Sequence, residues 1–303
     1  MPDRVPKWQQ ELLGNHRLPA SYLDYAQTWF APLANALAEH QKSAGRPLLV
    51  GLNGCQGSGK TTLCDYLTGA LHHREGVRSV ALSLDDFYHT RARREGLARQ
   101  VHPLFMTRGV PGTHDMALLQ QTLDALLAPS NNRPVAIPRF NKAADDRYPR
   151  DRWDSVDEGV DLVLLEGWCL GARPQDEDVL ATPLNRLERE EDPDGTWRRQ
   201  VNRALSGEFE PLYRRIEQWV MLRAPSFDCV YRWRREQEQK LAAVSHDLDT
   251  NRIMDEAQLE RFIQFFQRLT VQCLEQLPDQ VDYLYSLDEQ RRVTDYRCAG
   301  SER

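Results

Sequence analysis

The sequence has no long hydrophobic run, few cysteines and no excess of basic residues. No apolar stretch approaches the roughly 20 residues that a membrane helix needs, and the first residues lack the apolar core of a signal peptide. The six cysteines form no Cys-x-x-Cys pair and no metal-binding spacing, a usage typical of reduced thiols. These absences predict a cytoplasmic protein without a membrane segment.

The charge balance argues against a general nucleic-acid binder. The chain has 39 Lys and Arg against 45 Asp and Glu, which gives a net charge of −6 at pH 7, whereas such binders carry a basic surface. The 303 residues, 41% of them hydrophobic, suffice for one large α/β domain or two smaller ones. We therefore expect no nucleic-acid or membrane partner, and no pattern indicates an obligate protein partner.

What the chain does have is a complete glycine-rich phosphate loop that is followed by a second threonine: Gly54, Cys55, Gln56, Gly57, Ser58, Gly59, Lys60, Thr61 and Thr62. The glycines let several backbone N–H groups face phosphate oxygens, and the loop opens a helix whose N-terminus carries partial positive charge. We expect Lys60 to reach the β- and γ-phosphates of a nucleotide and the Thr61 hydroxyl to bind Mg²⁺. An apolar strand before the loop and a helical pattern after it favour this interpretation over a chance glycine-rich turn.

Cys55 stands inside this loop, near a helix N-terminus, where the pKa of a thiol usually falls. One hypothesis is that its oxidation or alkylation blocks ATP. The alternative is an inert residue that fills the loop.

Short apolar segments alternate with helical patterns along the chain. Strands are predicted at 47–53, 78–84, 134–139, 161–166, 218–223 and 281–287, and helices at 60–74, 114–127, 196–217 and 229–243. This alternation predicts an α/β fold with a mainly parallel sheet flanked by helices, and a site at the carboxyl ends of the strands. We expect an N-terminal helical segment at 1–45, a core at 46–303, and an exposed excursion at the charged segment 172–195.

Carboxylates follow two of these strands. Asp85 and Asp86 come after the second strand, where a phosphotransferase needs a carboxylate to orient the acceptor hydroxyl and accept its proton. The alternative is an Asp pair that caps the next helix. Glu166 ends the fourth strand and can hold Mg²⁺ directly or through water, and a helix cap is the weaker alternative because Gly-Trp follows.

Basic residues lie in three further segments. Arg108 precedes a helix and suits bidentate binding of a carboxylate or phosphate, although the same segment also reads as a loop with a helix cap. The charged stretch 139–147 fits an anionic substrate or a solvated loop. In the basic helix 229–243, Arg234 and Glu238 are four apart, which fits a surface ion pair or a lid that brings an Arg over the transferring phosphate.

The order of six motifs resembles the D-glycerate 3-kinase family, within the wider group of uridine kinase, phosphoribulokinase and pantothenate kinase. The similarity extends from about residue 46 to 293, and the motifs are G-x-x-G-S-G-K-T-T, S-L-D-D-F-Y, R-G-V-P-G-T-H-D, I-P-R-F-N-K-A, L-L-E-G-W and V-Y-R-W-R-x-E-Q-E. The resemblance implies a P-loop kinase that uses ATP and Mg²⁺ to phosphorylate a hydroxyl of a small metabolite. D-Glycerate is the expected acceptor, and a nucleoside, a pantothenate-like acid, a sugar or a regulator without transfer are the alternatives.

The resemblance also implies roles for particular residues. Asp85 matches the catalytic base, Glu166 the acid at the strand end, and the basic helix the lid, in which Arg234 is the expected contact to phosphate. The residues implied at the acceptor site are Asp86, Tyr88, Arg108, His114 and Lys142. Asn141 departs from the Asp that is common in relatives, which removes one charge expected in the pocket.

Overall fold

A parallel sheet with helices on both faces organises the chain. The computed structural model describes residues 5–128, 133–244 and 254–299, without the side chains of 237, 238 and 240–244. The strands in this part of the chain are β1 (Leu48–Gly54), β2 (Ser79–Ser83), β3 (Val135–Ile137), β4 (Phe140–Asn141), β5 (Asp146–Arg147), β6 (Asp154–Val156), β7 (Leu162–Gly167), β8 (Gln218–Arg223), β9 (Tyr283–Leu287) and β10 (Val293–Cys298).

The helices begin before the sheet and continue on both of its faces. In the same described ranges they are α1 (Lys7–His16), α2 (Tyr22–Trp29), α3 (Ala31–Ala44), α4 (Lys60–Ala70), α5 (Arg91–Gln100), α6 (Met116–Leu126), α7 (Glu177–Ala181), α8 (Arg186–Glu191), α9 (Thr196–Ala204), α10 (Glu210–Tyr213), α11 (Phe227–Val244) and α12 (Glu256–Gln276). Among the described residues, no helix combines the length and the apolar character needed to cross a membrane.

The central sheet confirms five of the six predicted strands and the α/β fold class. Its order is β10-β9-β8-β1-β7-β2, and each pairing is parallel except that of β10 with β9. β1 and β7 are buried along their whole length, as expected for parallel strands that helices cover on both faces. Val50 and Leu52 face a core shared with α1 to α4, whereas Leu49 faces a second core shared with α6, α9 and α12.

The prediction that 134–139 belongs to the parallel sheet was wrong. β3 instead pairs antiparallel with β6 in a separate sheet of two strands. The apolar run is only three residues long in the structure, and a partner close along the chain supplies its hydrogen bonds. Hydrophobic periodicity alone does not predict which strand such a short segment will pair with.

The expectation of an exposed excursion at 172–195 holds for part of the segment, since about half of its residues are exposed. The segment contains α7 and α8, and it buries Glu188, which is 1% exposed, and Asp192, which is not exposed. Arg268 of α12 lies 2.6 Å from Glu188, and Arg198 of α9 lies 2.9 Å from Asp192. Carboxylates enter a protein interior when they are paired. Arg268 lies 80 residues from Glu188 along the chain, so the composition of the segment could not reveal that pair.

Replacing Arg268 with Met should destabilise the fold strongly, because it leaves the Glu188 carboxylate buried without its cation. Loss of one partner of a buried ion pair costs about 3–5 kcal/mol. Chemical unfolding of the variant measures this loss. The control is Arg186→Met, which breaks the exposed pair of Arg186 with Glu190 and should cost less than about 1 kcal/mol. Equal losses in the two variants would contradict the prediction.

Candidate active site

The phosphate loop joins the end of β1 to the start of α4. Gly57 and Gly59 have φ angles of 80° and 92°, a left-handed conformation that residues with a Cβ rarely adopt. The first hydrogen bond of the helix runs from the Leu63 N–H to the Gly59 carbonyl over 3.0 Å. The N–H groups of 60–62 therefore remain as donors at the helix start, where anions bind.

Two buried polar side-chain atoms of this loop, the Ser58 hydroxyl and Gln56 Oε1, have no hydrogen-bond partner among the described residues. A Cβ on Gly54 would come within 2.5 Å of the Ser58 hydroxyl oxygen. The loop is therefore tightly curled around polar groups that its own chain leaves unsatisfied, which is unusual for buried atoms and fits a polar ligand.

Glu166 lies beside the first turn of α4. Its Oε1 accepts a 3.1 Å hydrogen bond from the Thr61 hydroxyl, and its Oε2 lies 3.7 Å from Lys60 Nζ. Glu166 is 4% exposed, and its Oε2 has no hydrogen-bond partner in the described ranges. Burial opposes the charge on Lys60, but the charges of Glu166 and Asp85 outweigh it and raise the pKa of Lys60.

Asp85 stands in a short helical turn directly after β2. Its two oxygens accept hydrogen bonds from the Tyr88 hydroxyl, at 2.8 Å, and from Lys142 Nζ, at 3.1 Å. Burial by itself would raise the pKa of Asp85, but the charges of Lys142 and Lys60 and the bond from Tyr88 lower it to about 2. The carboxylate is therefore ionised at neutral pH and is a weak base, which suits it to orient a hydroxyl.

Asp86 points the other way from its neighbour. One oxygen accepts from Arg139 Nη1 at 2.8 Å, and the other accepts from the Phe140 N–H at 3.0 Å. Asp86 thus fastens the segment after β3 to the end of β2. It supports the loop that carries Lys142 rather than offering a free carboxylate.

Tyr88 and His114 form a buried pair behind Asp85. Their ring centroids are 4.6 Å apart, and their backbones form an isolated β-bridge. His114 is not exposed, and neither ring nitrogen has a hydrogen-bond partner among the described residues. Burial lowers the pKa of His114 to about 3, so the ring is neutral. His114 therefore supports Tyr88 from behind, and Tyr88 in turn contacts Asp85.

Arg108 lies beside the loop that carries Lys142, with its Nη2 3.4 Å from the Lys142 carbonyl oxygen. Its guanidinium pairs with Asp145 and lies 5.2 Å from the centroid of the Phe140 ring, while the Lys142 side chain is 64% exposed. Asp145 also pairs with Arg94 at 3.0 Å, and Arg94 is completely buried. Sequence reasoning missed Arg94 because its helix reads as a solvated run of charges.

Asn141, the departure from the family pattern, has a local role. Its side-chain oxygen accepts hydrogen bonds from the N–H groups of Ala143, at 3.1 Å, and Ala144, at 3.0 Å. This is an Asx turn, which Asp forms as readily as Asn. The position therefore shapes the loop that presents Lys142.

The basic helix α11 reaches the phosphate loop through a residue that sequence reasoning missed. Arg291 donates from Nε to the Gly57 carbonyl at 2.8 Å and from Nη2 to Glu236 of α11 at 2.6 Å. The Arg234 guanidinium lies 5.6 Å from the centroid of the Phe262 ring, and the Glu238 side chain lies outside the described residues. Arg291 comes after the carboxyl end of β9. Because functional residues in such folds follow the strand ends, this position in the sequence could have indicated Arg291.

The expected fall in the pKa of Cys55 was wrong. Its side chain is 4% exposed, and burial raises the pKa of the thiol to about 12, against a smaller lowering by Lys60. Desolvation of the thiolate thus outweighs the positive end of the helix. Cys55 is a buried residue that fills the loop.

Two curated relatives and one solved structure resemble the chain. No family model matches the chain. It is 36% identical over 219 residues to the uncharacterized kinase mug58 of Schizosaccharomyces pombe, which covers 69% of this chain and 76% of that protein. It is 32% identical over 200 residues to the chloroplastic D-glycerate 3-kinase of Arabidopsis thaliana, which covers 63% of this chain but only 41% of the plant protein.

A solved structure shares the fold along most of the chain. The D-glycerate 3-kinase of Cryptococcus neoformans superposes with a TM-score of 0.73 at 24% identity, and the match covers 90% of this chain and 98% of that one. The predicted fold class is thereby confirmed. The phosphotransferase class and the use of ATP follow instead from the curated relatives, which are named as kinases. The chain belongs to the D-glycerate 3-kinase family of P-loop kinases.

Proposed function

We propose that this protein transfers the γ-phosphate of ATP to the 3-hydroxyl of D-glycerate. The observation that carries the proposal is the position of Asp85 between two cations. Lys60 of the phosphate loop and Lys142 of the acceptor loop both act on its pKa, so the donor and acceptor groups meet at one carboxylate. A hydroxyl that binds there lies next to the γ-phosphate site.

The donor half is the loop 54–62. Its helix-start amides and Lys60 bind the nucleotide phosphates, and the Thr61 hydroxyl and the Glu166 carboxylate would hold Mg²⁺. Oxygen ligands are those that Mg²⁺ prefers. The buried Glu166 Oε2, which no described residue hydrogen-bonds, fits such an ion. When bound, the ion would offset charge on the β- and γ-phosphates.

The acceptor half recognises a small acid. Lys142 contacts Asp85, and Arg108 lies beside the Lys142 backbone. A guanidinium binds a carboxylate through two parallel hydrogen bonds. The 2.8 Å bond from Tyr88 fixes the Asp85 carboxylate so that it can orient the acceptor hydroxyl. Asp86 and His114 act on this half indirectly, through the acceptor loop and through Tyr88.

The basic helix α11 is the lid over these two halves. We assign to Arg234 the role of neutralising the charge that develops on the transferring phosphoryl group. The planar guanidinium of Arg is well suited to this role. Glu236 ties the same helix to the phosphate loop through Arg291.

The direct test is ADP release with D-glycerate, compared with uridine, pantothenate and simple sugars at equal concentration. We expect turnover that depends on D-glycerate, and a product with phosphate on its 3-hydroxyl by ³¹P NMR. Faster turnover with another acceptor would show that this acceptor, and not D-glycerate, is the substrate. Nucleotide binding without turnover on any acceptor would support a regulator instead.

Removing the charge of Lys60 should slow the reaction. Lys60→Met should cost at least about 10²- to 10³-fold in kcat, as for one lost electrostatic donor. The matched control is Lys42→Met, because Lys42 lies on α3 and pairs only loosely, at 3.7 Å, with Glu75. Near-normal turnover by Lys60→Met would contradict its role.

Asp85→Asn should lower kcat by about 10²- to 10⁴-fold while ADP affinity stays close to that of the wild type, because the carboxylate acts on the acceptor hydroxyl. Rates under saturating ATP and calorimetric titration with ADP separate these two effects. A variant that keeps nearly full phosphotransfer would remove Asp85 from the mechanism.

The pH profile should depend on Lys142. Since Lys142 and Lys60 lower the pKa of Asp85 to about 2, the wild type should show no acid limb from this group above about pH 4. Lys142→Met removes one lowering charge but leaves the burial that raises the pKa, so an acid limb in kcat/KM should move to higher pH. Lys142→Arg, which keeps the charge, should retain the wild-type limb. The position of the limb, not the absolute rate, is the readout, and an unchanged limb in Lys142→Met would contradict the coupling.

A further inference from the structure

His16, the last residue of α1, bridges the N-terminal helices and the phosphate-binding helix α4. Its Nδ1 lies 3.1 Å from the Thr62 hydroxyl oxygen, and its Nε2 lies 2.6 Å from an Asp65 carboxylate oxygen. The imidazole is only 18% exposed. One side chain of α1 thus contacts two residues in the first turns of α4.

The Asp65 contact decides which way the imidazole bonds to Thr62. An ionised carboxylate only accepts hydrogen bonds, so the nitrogen that faces Asp65 carries the proton. In the neutral ring the other nitrogen is then an acceptor, and the Thr62 hydroxyl donates to it. Asp65 therefore sets the tautomer of His16, and His16 sets the direction of the Thr62 hydroxyl.

The packing of α1 holds the imidazole at this place. Trp8, near the start of α1, lies against Gly69 near the end of α4, where a Cβ would collide with the indole. Trp8 also stacks on His73 with ring centroids 5.8 Å apart. Since the start of α1 meets the end of α4 and His16 meets its start, the two helices run antiparallel, and the close contact at Gly69 fixes their spacing.

We propose that His16 is a positioning residue of the donor site, one that fixes Thr62 so that the amides of 60–62 face the nucleotide phosphates. The first backbone hydrogen bond of α4 is donated by Leu63, so the N–H of Thr62 has no partner within the helix. The backbone of this turn is therefore restrained less than the rest of the helix. A side-chain bond from another helix restrains that turn before the nucleotide arrives. The proposal rests on the proposed function only in taking the loop as the nucleotide-phosphate site.

Two substitutions separate the contact of Nδ1 with Thr62 from the contact of Nε2 with Asp65. The side-chain amide of Asn reaches about as far as Nδ1, whereas that of Gln reaches about as far as Nε2. His16→Asn should keep the bond to Thr62 and bind ADP within about twofold of the wild type. His16→Gln should keep only the bond to Asp65 and weaken ADP binding by roughly three- to tenfold, the effect of one lost hydrogen bond.

Calorimetric titration with ADP measures this difference without any turnover. In the kinetic assay, His16→Gln should raise the KM for ATP and leave both kcat and the KM for the acceptor unchanged. His72→Gln, at an exposed position beyond α4, is the control and should match the wild type. The effect of His16→Gln on ADP affinity should vanish in a Thr62→Val background, because the partner hydroxyl is already absent.

Equal weakening of ADP binding by the Asn and Gln variants would overturn the proposal, since His16 would then act only through the packing of α1. Unchanged ADP affinity in both variants would overturn it as well. Failure of the proposed function has a different signature: ADP would bind as described, but no acceptor on the panel would stimulate turnover.

Discussion

The parallel register of β1, β7 and β2 is the constraint on which the rest of the site depends. Leu52 of β1 lies opposite Glu166 of β7, and Glu166 lies opposite Ser83 of β2. Because the three strands run in one direction, the loop after β1 and the turn after β2 leave the sheet at the same edge. Lys60, Glu166 and Asp85 meet there, although more than a hundred residues separate the first from the second.

Each carboxylate at this edge has a cation as its neighbour. Glu166 lies beside Lys60, and Asp85 lies beside Lys142, which offsets much of the desolvation cost of ions in an interior. Against this background the polar atoms without partners are informative. Glu166 Oε2 and the Ser58 hydroxyl, which have no hydrogen-bond partner among the described residues, lie on the donor side, where a bound ion or ligand would satisfy them.

Adjacent residues can serve the site in different ways, and Asp85 and Asp86 illustrate this. The turn after β2 sends the first carboxylate toward the two lysines and the second toward Arg139 and the Phe140 N–H. The second interaction holds the loop that carries Lys142, so it maintains the electrostatics of the first. His114 supports Tyr88 in a similar way, as a neutral ring behind a side chain that contacts Asp85.

The phosphate loop, the strand-end carboxylates and five strands of the central sheet were predictable from the sequence alone, because each depends on a contiguous pattern. A glycine spacing or an apolar run carries its structural meaning locally. The place of β3, the burial of Glu188 in the segment 172–195 and the pKa of Cys55 were not predictable in this way. They depend on which residues desolvate or pair with a group from far along the chain, such as Arg268 with Glu188. The contacts of Arg94, Arg291 and His16 have the same origin, since only the packing of separate helices and loops brings a long side chain to its partner. The sequence therefore determined the chemistry of the donor loop, and the tertiary structure decided which distant side chains position it.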